Sequence, residues 1–140
     1  MKKALIIHQS KKGHTRRYGE EIGKFLTEKG IDSKVISLEE YNADLLQDVS
    51  HLFLGCWTGG LFFFAQHPDQ AWIHTVKKMA LPEGIQIGLF TTYLLATGSM
   101  FRAMKKYIPG KEGMPMPEWR SKNSLLSEAD KESINKFIAG

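Results

Sequence analysis

Hydrophobic and polar positions follow one another in blocks that predict strands and helices in turn. The apolar run Ala4-Leu5-Ile6-Ile7 opens a segment, residues 4–8, that is typical of a buried strand. In the next segment the apolar residues recur at helical spacing, which predicts a helix over residues 15–29 that stops at Gly30. The chain therefore begins with a strand that leads directly into a helix.

The same reading extends to the rest of the chain. Apolar runs predict further strands over residues 34–38, 51–56 and 85–91. Helical spacing predicts a helix around Trp72, another that ends at Pro109-Gly110, and a last one from Ser127 with Asp130 as its capping partner. Residues 39–49 have no clear period, and the only candidate for a fifth strand is a short piece near Trp119.

Strands that alternate with helices predict an α/β fold with a mostly parallel, doubly wound sheet between two helical layers. We interpret residues 1–140 as a single domain of this kind, since there is no linker, repeat or low-complexity tract. In such sheets ligands bind beyond the carboxyl ends of the strands, where the winding reverses. Three predicted loops fall at this edge, residues 9–15, the long loop 57–68 and residues 92–98, and we refer to them as the three segments.

The first of these segments has the residues of a phosphate site, Ser10-Lys11-Lys12-Gly13-His14-Thr15. Ser10 and Thr15 offer hydroxyls, Gly13 lets the backbone approach a ligand closely, and a helix N-terminus follows. Lys12 adds a positive charge, as does His14 when it is protonated. The alternative is an ordinary polar turn that only caps the helix.

The second segment is rich in aromatic and small residues, Trp57-Thr58-Gly59-Gly60-Leu61 followed by Phe62-Phe63-Phe64. Aromatic side chains at a strand end suit stacking on a flat ring, and we assign Trp57 to that role. Gly59 and Gly60 allow backbone N–H groups to come near the same ring. The three phenylalanines have two open alternatives, a place in the core or a contact in a homodimer.

The third segment supplies more hydroxyls and one more aromatic ring. Thr91, Thr92, Tyr93, Thr97 and Gly98 are its candidate ligand-binding residues. Tyr93 could cover the second face of a planar ligand, although ordinary loop packing would explain it as well.

Composition and charge restrict the classes of protein to which this chain can belong. The chain has 140 residues, 42% of them hydrophobic and 24% charged, and a net charge of +4, which is typical of a globular domain. Its basic residues are dispersed and no nucleic-acid motif accompanies them, so nucleic acid is a disfavoured partner. We find no membrane span, no signal-peptide pattern and no metal-ligand spacing, and the lone Cys56 reads as a core residue. We expect a cytoplasmic protein without a metal site or an identifiable catalytic residue.

Taken together, the three segments resemble the flavodoxin family. Its phosphate loop typically reads T/S-x-T-G-x-T, which is matched here at Ser10, Gly13 and Thr15 but not at Lys12. Its second loop often reads G-C-x-T-W-G, and Gly55-Cys56-Trp57-Thr58-Gly59-Gly60 is similar, with the tryptophan shifted. The third segment lacks the common G-x-G-D pattern. The likeness extends to about residue 108.

The resemblance implies a three-layer flavodoxin-like sheet of order 2-1-3-4-5, with a short or atypical fifth strand, that binds FMN. Its phosphate would lie on residues 10–15 and its ring between the second and third segments. The protein would then carry one or two electrons to a redox partner protein or to a small electron acceptor. Its aromatic second segment is also compatible with an FMN-dependent oxidoreductase that acts on quinones.

Typical flavodoxins are strongly acidic, whereas this chain is basic. We therefore expect a different redox partner and a higher two-electron potential than in acidic members, because positive charge favours the reduced, anionic cofactor. The alternative function is a flavin-free interaction or regulatory domain on the same scaffold, since a fold does not fix a function.

Overall fold

The computed structural model describes residues 2–61, 64–94, 97–111 and 113–140. Five parallel strands form the main sheet, and a separate hairpin contains β4 Gly59–Leu61 and β5 Phe64–His67. The strands of the main sheet are β1 Lys3–Gln9, β2 Asp32–Ser37, β3 His51–Trp57, β6 Gln86–Thr92 and β7 Glu118–Ser121. Their order across the sheet is β2-β1-β3-β6-β7, which is the predicted order 2-1-3-4-5.

Four α-helices connect or follow these strands: α1 His14–Glu28, α2 Gln70–Val76, α3 Met100–Lys106 and α4 Glu128–Ala139. Ser127 caps α4 together with Asp130, as the sequence predicts. The segment without a clear period forms two short 3-10 turns, Leu38–Glu40 and Ala43–Leu46. No helix in these ranges is both long enough and apolar enough to cross a membrane.

The segment predicted as a long loop contains a hairpin instead. β4 Gly59–Leu61 and β5 Phe64–His67 pair antiparallel, outside the main sheet. Trp57 is the last residue of β3 rather than the first residue of a loop. Phe62 and Phe63, named above as core or dimer residues, lie outside the described residues, so the homodimer stays a prediction.

Successive side chains of each strand point to opposite faces of the sheet, so the hydrophobic core is divided into two clusters, one on each face. Leu5 and Ile7 belong to the cluster under α2 and α3, whereas Ala4 and Ile6 belong to the cluster under α1 and α4. β3 is buried at six of its seven positions, as expected for a central parallel strand covered on both faces. This packing fixes where the strands end and therefore where the site residues lie.

The fifth strand of the sheet is short, as predicted, and is anchored by Trp119. This residue is 2% exposed and its ring stacks on Phe53 at 5.3 Å between centroids. Gly88 on β6 makes room for it, because a Cβ there would lie 2.3 Å from the indole ring. The indole N–H donates to the Ser133 hydroxyl of α4 at 3.0 Å. One side chain thus holds the edge strand against both its neighbour and the last helix.

Candidate functional site

Four neighbouring strands of the sheet end side by side at its carboxyl edge. The register pairs Gln9 with Cys56, Trp57 with Thr92, and Thr92 with Ser121. Each of the three segments identified in the sequence starts from this edge. The sheet therefore brings residues from distant parts of the chain to one side of the molecule.

The turn before α1 leaves backbone donors without protein partners. Gly13 has φ 90° and ψ −4°, and its N–H donates to the Ser10 hydroxyl at 2.7 Å. No side chain caps α1, and its first turn contains no acidic residue. Within the described ranges, the N–H groups of His14, Thr15 and Arg16 have no hydrogen-bond acceptor. Together with the helix dipole, these donors favour an anion at this turn.

The space beside Gly13 is open, since nothing lies within 4 Å of the position that a Cβ would take. A left-handed φ disfavours any residue with a branched side chain here. Lys12 and His14 are exposed next to Gly13. The turn thus combines free donors, access for a ligand and positive charge.

Thr15 does not face the solvent. It is fully buried, and its hydroxyl lies 2.7 Å from the Thr92 hydroxyl at the end of β6. The hydrogen bond ties the first turn of α1 to the third segment. In this structure Thr15 positions the turn through Thr92, a role that the sequence did not reveal.

A second pair of hydroxyls joins the other two segments. Thr58 and Thr91 have their hydroxyl oxygens 2.9 Å apart, and the Thr91 hydroxyl donates to the carbonyl of Cys56 at 2.5 Å. The N–H of Thr58 donates to the carbonyl of Thr92 at 3.1 Å. These bonds carry the β3–β6 pairing one residue beyond the strand ends and hold the backbone that leads into Gly59 and Gly60.

Two half-buried aromatic rings stand on adjacent strands at this edge. Trp57 ends β3, and Tyr93 directly follows β6. Each has a lysine over its ring, Lys11 at 5.0 Å from the Trp57 centroid and Lys122 at 5.6 Å from the Tyr93 centroid. Attraction between a cation and an aromatic face stabilises both pairs. Lys122 was not among the residues selected from the sequence, and Lys11 was named in the first segment without a role.

Thr97 and Gly98 occupy the turn that leads into α3. Thr97 is buried and its hydroxyl accepts a hydrogen bond from Arg120 at 3.1 Å. Gly98 has a positive φ of 50°. Arg120 also lies over the ring of Phe101 at 5.2 Å. These contacts connect the third segment to β7.

A polar cluster under the edge joins three elements. The Gln9 amide donates to the Asp69 carboxylate at 2.9 Å, and the Cys56 thiol contacts the Gln9 oxygen at 3.5 Å. Asp69 also caps α2 by accepting from the N–H of Ala71. A cap-forming aspartate before a helix can be recognised in a sequence, but its contact with Gln9, 60 positions away, cannot.

A cavity of about 450 Å³ opens on the β2 side of the same turn. His8 lines it, and burial holds the pKa of this imidazole below its usual range, so the ring is neutral at pH 7. The turn itself lines it through Ser10, Gly13 and Arg16, and three carboxylates do so as well, those of Glu20, Glu39 and Glu40. Their negative charge favours a phosphate on the opposite side of the turn, toward β3.

Burial makes Cys56 unreactive, which supports its assignment to the core. Removal from water raises the pKa of the thiol to about 12. We expect iodoacetamide at pH 8 to modify folded protein at least about a hundredfold more slowly than urea-unfolded protein, because only the thiolate reacts. Mass spectrometry of quenched samples measures both rates. Equal rates would contradict the burial of this thiol.

Comparison with known proteins supports the fold directly. No protein-family model and no curated protein sequence matches the chain. The solution structure of two-electron reduced Megasphaera elsdenii flavodoxin matches with a TM-score of 0.71 at 21% identity, over 92% of this chain and 93% of that one. Flavodoxin of Streptococcus pneumoniae TIGR4 matches with a TM-score of 0.68 at 14% identity, over 98% and 95%.

A multidomain protein shares the same unit. Rubredoxin oxygen:oxidoreductase from Desulfovibrio gigas matches with a TM-score of 0.69 at 14% identity. The match covers 98% of this chain and 34% of that one. The chain therefore has a flavodoxin-like fold, found both in flavodoxins and as one part of a larger oxidoreductase.

Proposed function

We propose that this protein binds FMN at the carboxyl edge of the sheet and carries electrons through it. The observation on which the proposal rests is the uncapped N-terminus of α1 behind Gly13, on the same edge as Trp57 and Tyr93. An anion seat beside two aromatic rings fits a ligand with a phosphate at one end and a flat ring at the other. The flavodoxin neighbours support the same cofactor.

Each part of the site has a defined role in this proposal. The Ser10 hydroxyl holds the turn in shape, and the N–H groups that follow Gly13 bind the phosphate with help from Lys12. Trp57 and Tyr93 flank the ring and exclude water from it, while the backbone of Gly59 and Gly60 lies alongside. When bound, FMN supplies one- and two-electron redox chemistry. Nearby lysines favour its reduced form by their charge.

In this role the protein acts in the cytoplasm. It carries electrons between redox partner proteins, or between a protein and a small acceptor. The purified protein should be yellow, with absorbance near ~450 nm from the bound cofactor. If it is purified without cofactor, titration with FMN should quench the flavin fluorescence to a one-to-one endpoint. A colourless protein that leaves FMN fluorescence unchanged would overturn the proposal and favour a flavin-free interaction domain.

A further inference from the structure

Unpaired positive charges line the carboxyl edge on both sides of the two aromatic rings. Lys11, Lys12 and Arg17 follow β1, and Lys122 follows β7. All four are exposed, and none forms an ion pair within the part of the chain that the structure describes. Three strand spacings separate β1 from β7 across β3 and β6, a width of roughly 15 Å.

The acidic groups of this edge do not cancel that charge on its outer surface. Asp69 and Asp130 keep their negative charge, but both are half-buried. Asp69 accepts hydrogen bonds from Gln9 and from the start of α2, and Asp130 accepts from the buried Tyr18. Glu128 is paired with Lys131. Glu20, Glu39 and Glu40 face the cavity on the β2 side of the turn before α1, outside the stretch between β1 and β7. Between β1 and β7 the exposed charge is therefore mainly positive.

Exposed leucines stand among these cations. Leu94, next to Tyr93, is 85% exposed, and Leu125, three residues after Lys122, is 51% exposed. They are two of the three large hydrophobic side chains that stand exposed within the described ranges. Exposed apolar side chains among charged ones are typical of protein–protein interfaces. A surface for nucleic acid would rely on phosphate contacts and would have no use for leucines.

We propose that this edge docks an acidic redox protein. We call the surface the cationic rim and define it as Lys11, Lys12, Arg17 and Lys122, with Leu94 between the cations of β1 and β7 and Leu125 beside Lys122. Opposite charges steer the partner to the rim, and the leucines and aromatic rings then pack against it. A patch of this width suits a transient complex, which suits a carrier that must release its partner after each transfer. The identity of the partner as a redox protein rests on the proposed function, whereas the docking itself depends only on the surface.

The test uses a fluorescently labelled acidic [2Fe–2S] ferredoxin as the probe, with basic cytochrome c and a DNA duplex for comparison. Anisotropy measures binding to the whole protein without any need for the flavin. We expect the Kd for ferredoxin to rise at least about tenfold between roughly 20 and 200 mM NaCl, because salt screens exposed charges. Cytochrome c should bind more weakly than ferredoxin at low salt.

A pair of charge-matched variants locates the surface. The double variant Lys11→Glu/Lys122→Glu should weaken ferredoxin binding about tenfold or more. The control variant Lys24→Glu/Lys77→Glu changes the net charge by the same amount, and it should change the Kd for ferredoxin by less than about twofold. Lys24 lies in the second half of α1 and Lys77 at the end of α2, both exposed and away from the rim. Equal weakening by the two variants, or tighter binding of cytochrome c or DNA, would overturn the proposal.

An FMN titration of each protein separates this inference from the proposed function. Ferredoxin binding that depends on the rim, in a protein that takes up no FMN, would support the docking surface and refute the redox function. FMN uptake without rim-dependent ferredoxin binding would refute the docking surface alone.

Discussion

Replacing Gly13 with valine is expected to weaken FMN binding by about a hundredfold, because the turn would lose its bonds to the phosphate. Gly13 has φ 90°, a conformation that a β-branched residue strongly resists. Relaxing to a negative φ would turn the neighbouring N–H groups away from the ligand. Each hydrogen bond to a charged group contributes about 1.5–3 kcal/mol, so losing one or two accounts for an effect of this size. Fluorescence quenching of FMN measures the Kd.

Gly30→Val is the matched control for this variant. Gly30 follows the other end of α1 with φ 78°, and nothing lies within 4 Å of the position of its Cβ either. Both variants should therefore suffer a similar loss of stability, but only Gly13→Val should lose affinity. Equal affinities in the two variants would mean that the phosphate does not bind at this turn. Gly13→Ala offers a milder change if the valine variant folds poorly.

Truncation of Trp119 should produce the largest loss of stability, about 3–5 kcal/mol, because it removes a large buried ring from between β7 and α4. The ring stacks on Phe53 and meets Phe137 edge-on at 5.5 Å, and its N–H bonds Ser133. A loss of this size is about a fifth or more of the stability of an ordinary domain. Urea denaturation followed by circular dichroism measures the free energy of unfolding of the wild type and Trp119→Ala.

Two further tryptophan variants make the result specific. Trp119→Phe keeps a ring against Phe53 but lacks the hydrogen bond to Ser133, so it should lose less than Trp119→Ala. Trp57→Ala removes a half-buried ring at the site and should affect FMN affinity more than unfolding. If Trp57→Ala proved as destabilising as Trp119→Ala, Trp57 would belong to the core rather than to the ligand site.

The sequence predicts the central strands well because each is covered on both faces. The short apolar runs that include Leu5, Leu54 and Leu89 are typical of strands buried on both faces of a parallel sheet. β7 gives a weaker signal, since only two of its four residues are buried. The two strands of the short hairpin pair with each other outside the main sheet. Because the first of them begins with two glycines, its sequence lacks the pattern of apolar residues that predicts a strand.

The site could be predicted only in part, for a related reason. Strand ends and a glycine-containing turn can be identified from local sequence, and they place the three segments at one edge. The hydrogen-bond partners of individual hydroxyl groups cannot be identified in this way, because the bonded residues Thr15 and Thr92 are 77 positions apart in the sequence. Lys122 was missed for the same reason, as nothing near it in the sequence indicates a ring beneath its ammonium group.

The hydroxyl pairs Thr15–Thr92 and Thr58–Thr91 also bear on how quickly a ligand could bind. They join the three segments through the protein's own atoms, so the backbone at these four threonines needs little further ordering when a ligand binds. What must move is the lysine ammonium group over each aromatic face, and side-chain rotations at exposed positions take only picoseconds to nanoseconds. Where these threonines and lysines control access, association of a planar ligand should therefore be fast and governed by collision frequency.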